Sequence, residues 1–211
     1  SYVVIRVDAG GGEFFVSDFG AGHEEAQQLG ASATFKRVAK TVAEANGVGF
    51  DTHSFFALTV SEAQLPGAIA SIANASQEAV NITALKASER SLRDDNDELF
   101  DRLRGIFSPK AIAKDANIVG ASNTQWHVST LVTIQNKMVA FEAVSKAPQS
   151  IVFASTKFSD IARLPKAPGR VAVVSNKKAL GTYLGVLSHN ADVIERKVED
   201  RIFHRLLGAA A

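Results

Sequence analysis

A glutamate, an aspartate, a histidine and a lysine occur close together in the second half of the sequence, where they could carry out chemistry jointly. They are Glu142, Asp115, His127 and Lys146. Carboxylate oxygens are the ligands that hard divalent cations such as Mg2+ prefer, and a bound cation can activate water for attack on a phosphodiester. An imidazole or an amine beside such an ion could orient or deprotonate that water. These four residues are the candidates for a catalytic site, and their roles depend on the fold that positions them.

Three runs rich in β-branched and aromatic residues would position these side chains. The runs cover residues 111–119, 125–134 and 137–144, and the tight link Gln135-Asn136 joins the last two. This pattern predicts three successive antiparallel strands. Because side chains alternate between the two faces of a strand, two sets should each share a face. The sets are His127, Ser129, Leu131 and Thr133 in the second run, and Met138, Ala140, Glu142 and Val144 in the third.

The remainder of the second half predicts alternating helices and strands. Helices are expected at residues 150–164, 177–189 and 196–207, and strands are expected at residues 170–174 and 191–195. The strand at residues 170–174 is almost wholly apolar, which is typical of a strand that is buried on both faces beside a parallel neighbour. The closing helix has one apolar side, which could dock on its own core or on a partner chain. We expect it to dock on its own core.

Residues 98–195 thus give the order helix, strand, strand, strand, helix, strand, helix, strand. This order resembles the core of the restriction-endonuclease-like fold, the PD-(D/E)XK nuclease superfamily, over nearly half of the chain. In that family a carboxylate lies on the second strand and a Glu-x-Lys pair lies on the third. The carboxylates hold a divalent metal ion, and the lysine helps to orient the nucleophile. The resemblance implies a mixed-sheet domain of this kind at residues 98–211.

Only one of the three family residues has a counterpart in this sequence. By position, the first falls on or next to Ser129, the second on Glu142 and the third on Val144. Serine brings no negative charge and valine no ammonium, so the resemblance implies a domain that has lost catalysis. The alternative is a Mg2+-dependent nuclease in which Asp115 supplies the second carboxylate and Lys146 the amine. Otherwise Glu142 would be a half-exposed strand residue that pairs with a nearby lysine.

The first half predicts a small α+β module at residues 1–60 and a helical connector at residues 61–97. The module's expected elements are a hairpin with strands at 2–7 and 13–16, helices at 23–29 and 33–45, and a strand at 53–60. The highly charged segment at residues 88–97 is expected to break the connector helix, and the boundary between the halves is placed there.

This first half is similar to an uncharacterised N-terminal module of phage and bacterial proteins. The similarity covers the hairpin that leads into residues 15–20, the two short helices and the glycine-containing corner at residues 47–51. In those proteins the module often precedes a nuclease-fold-like partner. The resemblance therefore implies a phage, mobile-element or defence context.

Basic and acidic residues almost balance, with 23 Lys and Arg against 22 Asp and Glu, so nucleic-acid contact would depend on local clusters. Lys177 and Lys178 lie at a predicted strand-to-helix turn, where backbone N–H groups and the helix dipole also favour an anion. Together with Lys166 and Arg170 they are the predicted nucleic-acid contacts. The densest acidic cluster could be a metal site or a solvated helix face, and the latter is expected: Asp94, Asp95, Asp97, Glu98 and Asp101.

The absence of cysteine excludes disulfides and thiolate metal sites, and no run approaches the roughly 20 apolar residues that a membrane helix needs. A cytoplasmic location without membrane association is therefore expected. The leading hypothesis is a noncatalytic factor that binds DNA, RNA or a protein of a phage or defence system and needs no cofactor. One alternative is the Mg2+-dependent nuclease. The other is a protein-directed inhibitor or scaffold without nucleic-acid contact.

Overall fold

A computed structural model of the chain describes residues 3–209, which form two compact units that divide between Ser91 and Leu92. The protein is of the mixed α+β class, with a long helix and a mixed five-stranded sheet, so the predicted class is confirmed at this level. The expected division into a module, a connector and a nuclease-like domain stays a prediction. None of the described helices combines the length and the apolar character that crossing a bilayer requires.

The first unit packs two helices and the start of a third against a four-stranded antiparallel sheet. Its strands are β1 (Arg6–Gly10), β2 (Glu13–Ser17), β3 (Gly49–Phe50) and β4 (Phe55–Val60), in the order β1-β2-β4-β3. The helices are α1 (Ala21–Gln28) and α2 (Ser32–Asn46). Gly11 and Gly12 make the predicted hairpin turn with φ angles of 63° and 85°, which glycine adopts at little cost. Residue 2 of the predicted first strand lies outside the described residues, and β1 begins at Arg6.

Helix α3 (Leu65–Ile106) is a single helix of 42 residues. A turn of 3-10 helix at Glu62–Gln64 precedes it, where the Ser61 N–H donates to Gln64 Oε1 at 3.1 Å. The expected break at residues 88–97 is wrong, because neither glycine nor proline occurs between Gly67 and Gly105. The early part of α3 packs in the core of the first unit through Ile72, and its last part packs in the second unit through Leu99 and Leu103.

The second unit is built on a five-stranded mixed sheet. Its strands, in chain order and in spatial order, are β5 (Ile112–Val119), β6 (Gln125–Ile134), β7 (Lys137–Ala143), β8 (Gly169–Val174) and β9 (Asp192–Glu195). Strands β5, β6 and β7 pair antiparallel, whereas β7, β8 and β9 pair parallel. The tight link is confirmed, because Gln135 and Asn136 have φ angles of 49° and 67°, as in a type I′ turn.

Helices cover both faces of this sheet. The end of α3 and the closing helix α6 (Asp200–Ala209) share one core with Val171 and Val173 of β8. Helices α4 (Pro148–Ala162) and α5 (Tyr183–Ser188) share the other core with Ala172 and Val174. Strand β8 is therefore buried on both faces beside parallel neighbours, and α6 docks on its own core, as the sequence predicts.

The helix expected at residues 177–189 is wrong in its first half. Residues Lys178–Leu180 form only a turn of 3-10 helix, and α5 begins at Tyr183. Gly181 separates the two with φ 55° and ψ −131°, a conformation that interrupts a helix. The closing helix likewise begins at Asp200 and not at residue 196.

Candidate functional site

Strands β6 and β7 stop pairing and separate near one end of the sheet. They pair only from Ile134 opposite Lys137 to Thr130 opposite Phe141. Beyond that point β6 continues against β5, and β7 continues against β8. We call the opening between them the strand fork, formed by residues 127–129 of β6 and by Glu142. A gap between strands leaves backbone groups without their usual ladder partners, so another group must satisfy them.

A change of face in β5 and β6 accompanies the fork. Ile112 and its partner Val132 lie in the core beside α3 and α6, whereas Ala116 and its partner Val128 lie in the core beside α4. Strict alternation would keep all four on one face. Asp115, between the two pairs, has φ 54°, a left-handed conformation that aspartate tolerates better than most residues. The prediction that residues 127, 129, 131 and 133 share one face of the sheet is therefore wrong for the first residues of this set.

Lys157 of α4 fills the strand fork. Its Nζ donates to Glu142 Oε1 and Oε2, both at 2.6 Å, and to the backbone oxygen of His127 at 2.7 Å. The lysine side chain is 3% exposed and the glutamate side chain 12%. An ammonium has three N–H donors, and all three are engaged here. Lys157 therefore joins β6, β7 and α4 at one buried point.

Burial and the lysine act on Glu142 in opposite directions. Burial raises the pKa of the Glu142 carboxyl above its ordinary value, while the charge and the hydrogen bonds of Lys157 lower it. Burial has the larger effect, so the pKa of Glu142 stays above its ordinary value despite the lysine. The interpretation of Glu142 as the partner of a nearby lysine is confirmed, although the pair is far less exposed than the sequence suggested.

The other catalytic candidates differ in their position relative to the Lys157–Glu142 pair. His127 Nε2 lies 3.3 Å from Asp115 Oδ1, and both side chains are exposed. Lys146 is exposed beyond the end of β7, so the amine at Glu142 comes from Lys157 instead. At the two other positions that the resemblance pointed to, Ser129 is buried and Val144 packs in the core beside α4.

The residues present do not fit a Mg2+ ion. Both oxygens of Glu142 already accept from an ammonium, and Mg2+ demands several oxygen ligands in octahedral geometry. Within residues 3–209, no group of three or more histidine and acidic side chains is arranged to hold a metal ion. In the acidic cluster, four side chains pair with basic residues: Asp95 and Glu98 with Arg196, Asp97 with Lys114, and Asp101 with Arg104.

Sequence reasoning missed Lys157, although the helix pattern contains a signal for it. Lys157 lies three residues after Ala154 and four before Ile161, and both of these are buried on the apolar side of α4. A lysine at such a core position has to find an acceptor, because an unpaired buried charge is very unfavourable. The nearby glutamate on the preceding strand was the available partner.

Asp160 of α4 closes the loop between β5 and β6. Its carboxylate accepts from the Ser122 N–H at 2.9 Å, the Ser122 hydroxyl at 2.7 Å and the Trp126 indole N–H at 2.7 Å. The hydrogen bonds from Trp126 and Ser122 lower the pKa of Asp160. A Cβ at Gly120 would overlap with Asp160 Oδ2, so this contact requires glycine.

Replacing Gly120 with alanine is expected to lower the free energy of unfolding of the second unit by about 2 kcal/mol, the usual effect of overpacking. Urea titration followed by the fluorescence of Trp126, the only tryptophan, measures this change. Gly105→Ala is the control, because a Cβ there meets no atom within 4 Å and alanine favours the helix. An unchanged urea midpoint in Gly120→Ala would contradict the assignment.

Basic residues are unevenly divided between the units. The second unit holds 17 Lys and Arg against 12 Asp and Glu, whereas the first holds 6 against 10. The predicted nucleic-acid contacts lie at both ends of β8, which at this strand length are about 17 Å apart. Lys166 and Arg170 lie near its start, and Lys177 and Lys178 follow its end. They therefore do not form a single cluster.

Arg170 and the turn at Lys177 are less available to an anion than predicted. Arg170 Nε donates to the Asn190 carbonyl at 2.9 Å, and its Nη1 donates to the Pro168 carbonyl at 3.0 Å. The backbone N–H groups of Lys177 and Lys178 donate to the side chains of Glu195 and Asn176. The predicted backbone anion site at this turn is wrong, because both of these donors are occupied.

Four lysines follow the ends of the three parallel strands. Lys146 follows β7, Lys177 and Lys178 follow β8, and Lys197 follows β9. The carboxyl ends of parallel strands lie at the same edge of a sheet, so we call these residues the carboxyl-edge lysines. Lys177 is half-buried and the other three are exposed, and none forms an ion pair with a carboxylate of the described residues.

The first unit contains a separate pair of histidines that sequence spacing did not reveal. The rings of His23 and His53 lie 4.7 Å apart between centroids. Burial, followed by the nearby His53, lowers the pKa of His23, and neither of its ring nitrogens has a hydrogen-bond partner among the described residues. The His23 ring also packs against Phe35, with 5.9 Å between the ring centroids.

Comparison with family models, with curated proteins and with solved structures found no match to the chain.

Proposed function

We propose that the protein is a noncatalytic nucleic-acid-binding factor whose second unit contacts phosphates through the carboxyl-edge lysines. The observation that carries this proposal is the convergence of four lysines at one edge of the sheet, without acidic partners among the described residues. Phosphate contacts by lysine provide most of the sequence-independent affinity of proteins for nucleic acids. The net positive charge of the second unit favours the same partner.

The second unit is proposed to be a restriction-endonuclease-like domain that has lost catalysis. The succession of helix, three strands, helix, strand, helix and strand supports this assignment. Glu142 near the end of the third of these strands also supports it, because that strand holds the Glu-x-Lys pair in the family. The engagement of both Glu142 oxygens by Lys157 supports the loss of catalysis.

The first unit is proposed to be the uncharacterised module that the sequence resembles, which would place the protein in a phage, mobile-element or defence setting. Its four-stranded sheet and two short helices support the resemblance at the level of element order. With a nucleic acid as partner, the proposed location is the cytoplasm. The first unit carries more acidic than basic residues, so we assign phosphate contact to the second unit alone.

The spacing of the carboxyl-edge lysines suits a phosphate backbone. Neighbouring strands lie about 4.8 Å apart, so the attachment points on three strands spread over roughly 10 Å. Flexible lysine side chains extend this reach, and such a surface can contact two to four phosphates without reading bases. The binding should therefore depend on salt and show little sequence preference.

Alanine at all four carboxyl-edge lysines is expected to weaken nucleic-acid binding at least tenfold and to reduce its dependence on salt. Each lost phosphate contact should reduce the slope of log K against log salt by about 0.9 for duplex DNA. Fluorescence anisotropy of the full chain with labelled duplex DNA, single-stranded DNA and RNA measures both quantities. The control removes four other exposed lysines and causes the same change in charge: Lys36, Lys40, Lys86 and Lys110.

Each alternative function predicts a different result in these assays. Absence of binding to all three probes at about 20 mM salt would contradict the proposal and leave the protein-directed inhibitor or scaffold. Equal losses in both quadruple variants would contradict the assigned surface. Mg2+-dependent cleavage of a probe that is abolished in Glu142→Ala would establish the nuclease alternative with Glu142, Asp115 and Lys146.

A further inference from the structure

The surroundings of the Lys157 ammonium are those of a bound cation. Three oxygens lie within 2.7 Å of its Nζ, two from the Glu142 carboxylate and one from the His127 carbonyl. Carboxylate and carbonyl oxygens are also the ligands that hard divalent ions take in proteins. The Phe153 ring lies 5.3 Å from the same nitrogen, which adds a cation–π contact. Every contact described for this group suits a positive charge.

We propose that Lys157 is a built-in cation that takes the place of a divalent metal ion in the strand fork, so that Glu142 cannot bind Mg2+ or Mn2+ while the lysine is present. The proposal goes beyond the proposed function and does not depend on whether the protein binds nucleic acid. It gives a physical reason why the residues present do not fit Mg2+. It also assigns to Lys157 a role that no exposed lysine of the chain could perform.

Geometry and charge both exclude a second cation. A metal ion bound to Glu142 would have to displace the ammonium from at least one carboxylate oxygen, and the other oxygen that accepts from the amine among the described residues is the His127 carbonyl. Displacement would leave an ammonium with 3% exposure next to a divalent ion, and like charges at such distances repel strongly. Because the lysine is covalently attached, it occupies the fork at every metal concentration.

Two other titratable side chains lie beside the strand fork. On their own, these two cannot bind a divalent ion in place of Glu142. The imidazole of His127 points to Asp115, with 3.3 Å between Nε2 and Oδ1, and both side chains are exposed. One imidazole and one carboxylate in solvent make a weak site for hard ions, which prefer several oxygens. Any tight divalent site near the fork must therefore involve Glu142.

The test measures Mn2+ binding to the full chain by the electron paramagnetic resonance signal of the free ion. Wild-type protein and Glu142→Gln are expected to bind Mn2+ equally weakly, because Glu142 is already occupied by Lys157. In Lys157→Met, Mn2+ is expected to bind at one site at least tenfold more tightly than in the wild type. That site is expected to disappear in the double variant Glu142→Gln with Lys157→Met.

Lys146→Met is the matched control, because it removes one positive charge from an exposed lysine just beyond the same strand. Mn2+ affinity in this variant should equal that of the wild type, and an equal gain in both lysine variants would overturn the proposal. Wild-type binding at least tenfold tighter than that of Glu142→Gln would also overturn it. This last comparison needs no change at Lys157, so it decides the question even if Lys157→Met fails to fold.

Discussion

Replacing Lys157 with methionine is expected to lower the free energy of unfolding of the second unit by about 3–5 kcal/mol, the cost of removing one partner from a buried ion pair. The Glu142 carboxylate would remain in the fork without its partner, and the His127 carbonyl would lose its donor. Methionine has nearly the length of lysine, so the change tests the charge and the hydrogen bonds more than the packing. Urea titration followed by Trp126 fluorescence measures the loss, because the only tryptophan lies in this unit.

A double-mutant cycle separates the ion pair from the other effects of the substitution. Glu142→Gln combined with Lys157→Met should recover part of the lost stability, because no unpaired charge then remains buried. Lys146→Met provides the control for loss of an exposed lysine and should change stability by less than about 0.5 kcal/mol. A loss of less than about 1 kcal/mol of unfolding free energy in Lys157→Met would contradict a buried ion pair that makes all of its hydrogen bonds, because solvent-exposed ion pairs contribute only that much.

Local rules predicted the central strands of the second unit well. Strand β6 has the predicted bounds, residues 125–134, and β7 differs by one residue at its end. The reason is that Gln135 and Asn136 accept the positive φ angles of a tight turn, and such a turn fixes the register of both flanking strands. The buried character of β8 followed equally from its own residues. These features need no information from distant parts of the chain.

The candidate site depended on contacts that local rules do not contain. Lys157 is 15 residues from Glu142 and 30 from His127, and only the docking of α4 on the sheet brings the three together. The change of face at Asp115 could not be predicted either, because a regular alternation of side chains describes that run just as well. Sequence reasoning therefore found the acidic residue but assigned it the wrong amine.

Charge patterns gave the same mixed result. The segment at residues 88–97 suggested a break because it is highly charged, yet its residues continue α3. Two of them pair with basic side chains, Asp95 with Arg196 and Asp97 with Lys114. Glu89, Arg90 and Arg93 are exposed on the helix. Glutamate and arginine favour a helix, and aspartate disfavours it by only up to about 0.7 kcal/mol per residue relative to alanine, so charge alone does not end α3 here. Glycine or proline would have been the reliable signal.

Replacing Asp18 with alanine is expected to lower the free energy of unfolding of the first unit by about 3 kcal/mol. Asp18 is 1% exposed, and its Oδ1 accepts from the Phe55 N–H at 2.8 Å and the Gly20 N–H at 3.1 Å. Its Oδ2 accepts from the Ser76 hydroxyl at 2.7 Å. The substitution would leave two buried N–H groups and one hydroxyl without their acceptor. Hydrogen–deuterium exchange resolved by peptide measures the loss in residues 3–91, because this unit contains no tryptophan.

Asp18→Asn separates the geometry of these hydrogen bonds from the charge of the carboxylate. The asparagine oxygen can still accept from both N–H groups, and its amide can donate to the Ser76 oxygen, so a loss of about 1 kcal/mol or less is expected. Asp8→Ala is the exposed control, since Asp8 pairs only with Arg6 at the surface and such pairs contribute little. Equal large losses in Asp18→Asn and Asp18→Ala would contradict the argument from acceptor geometry. They would show instead that the first unit requires a negative charge where β2, β4 and α3 meet.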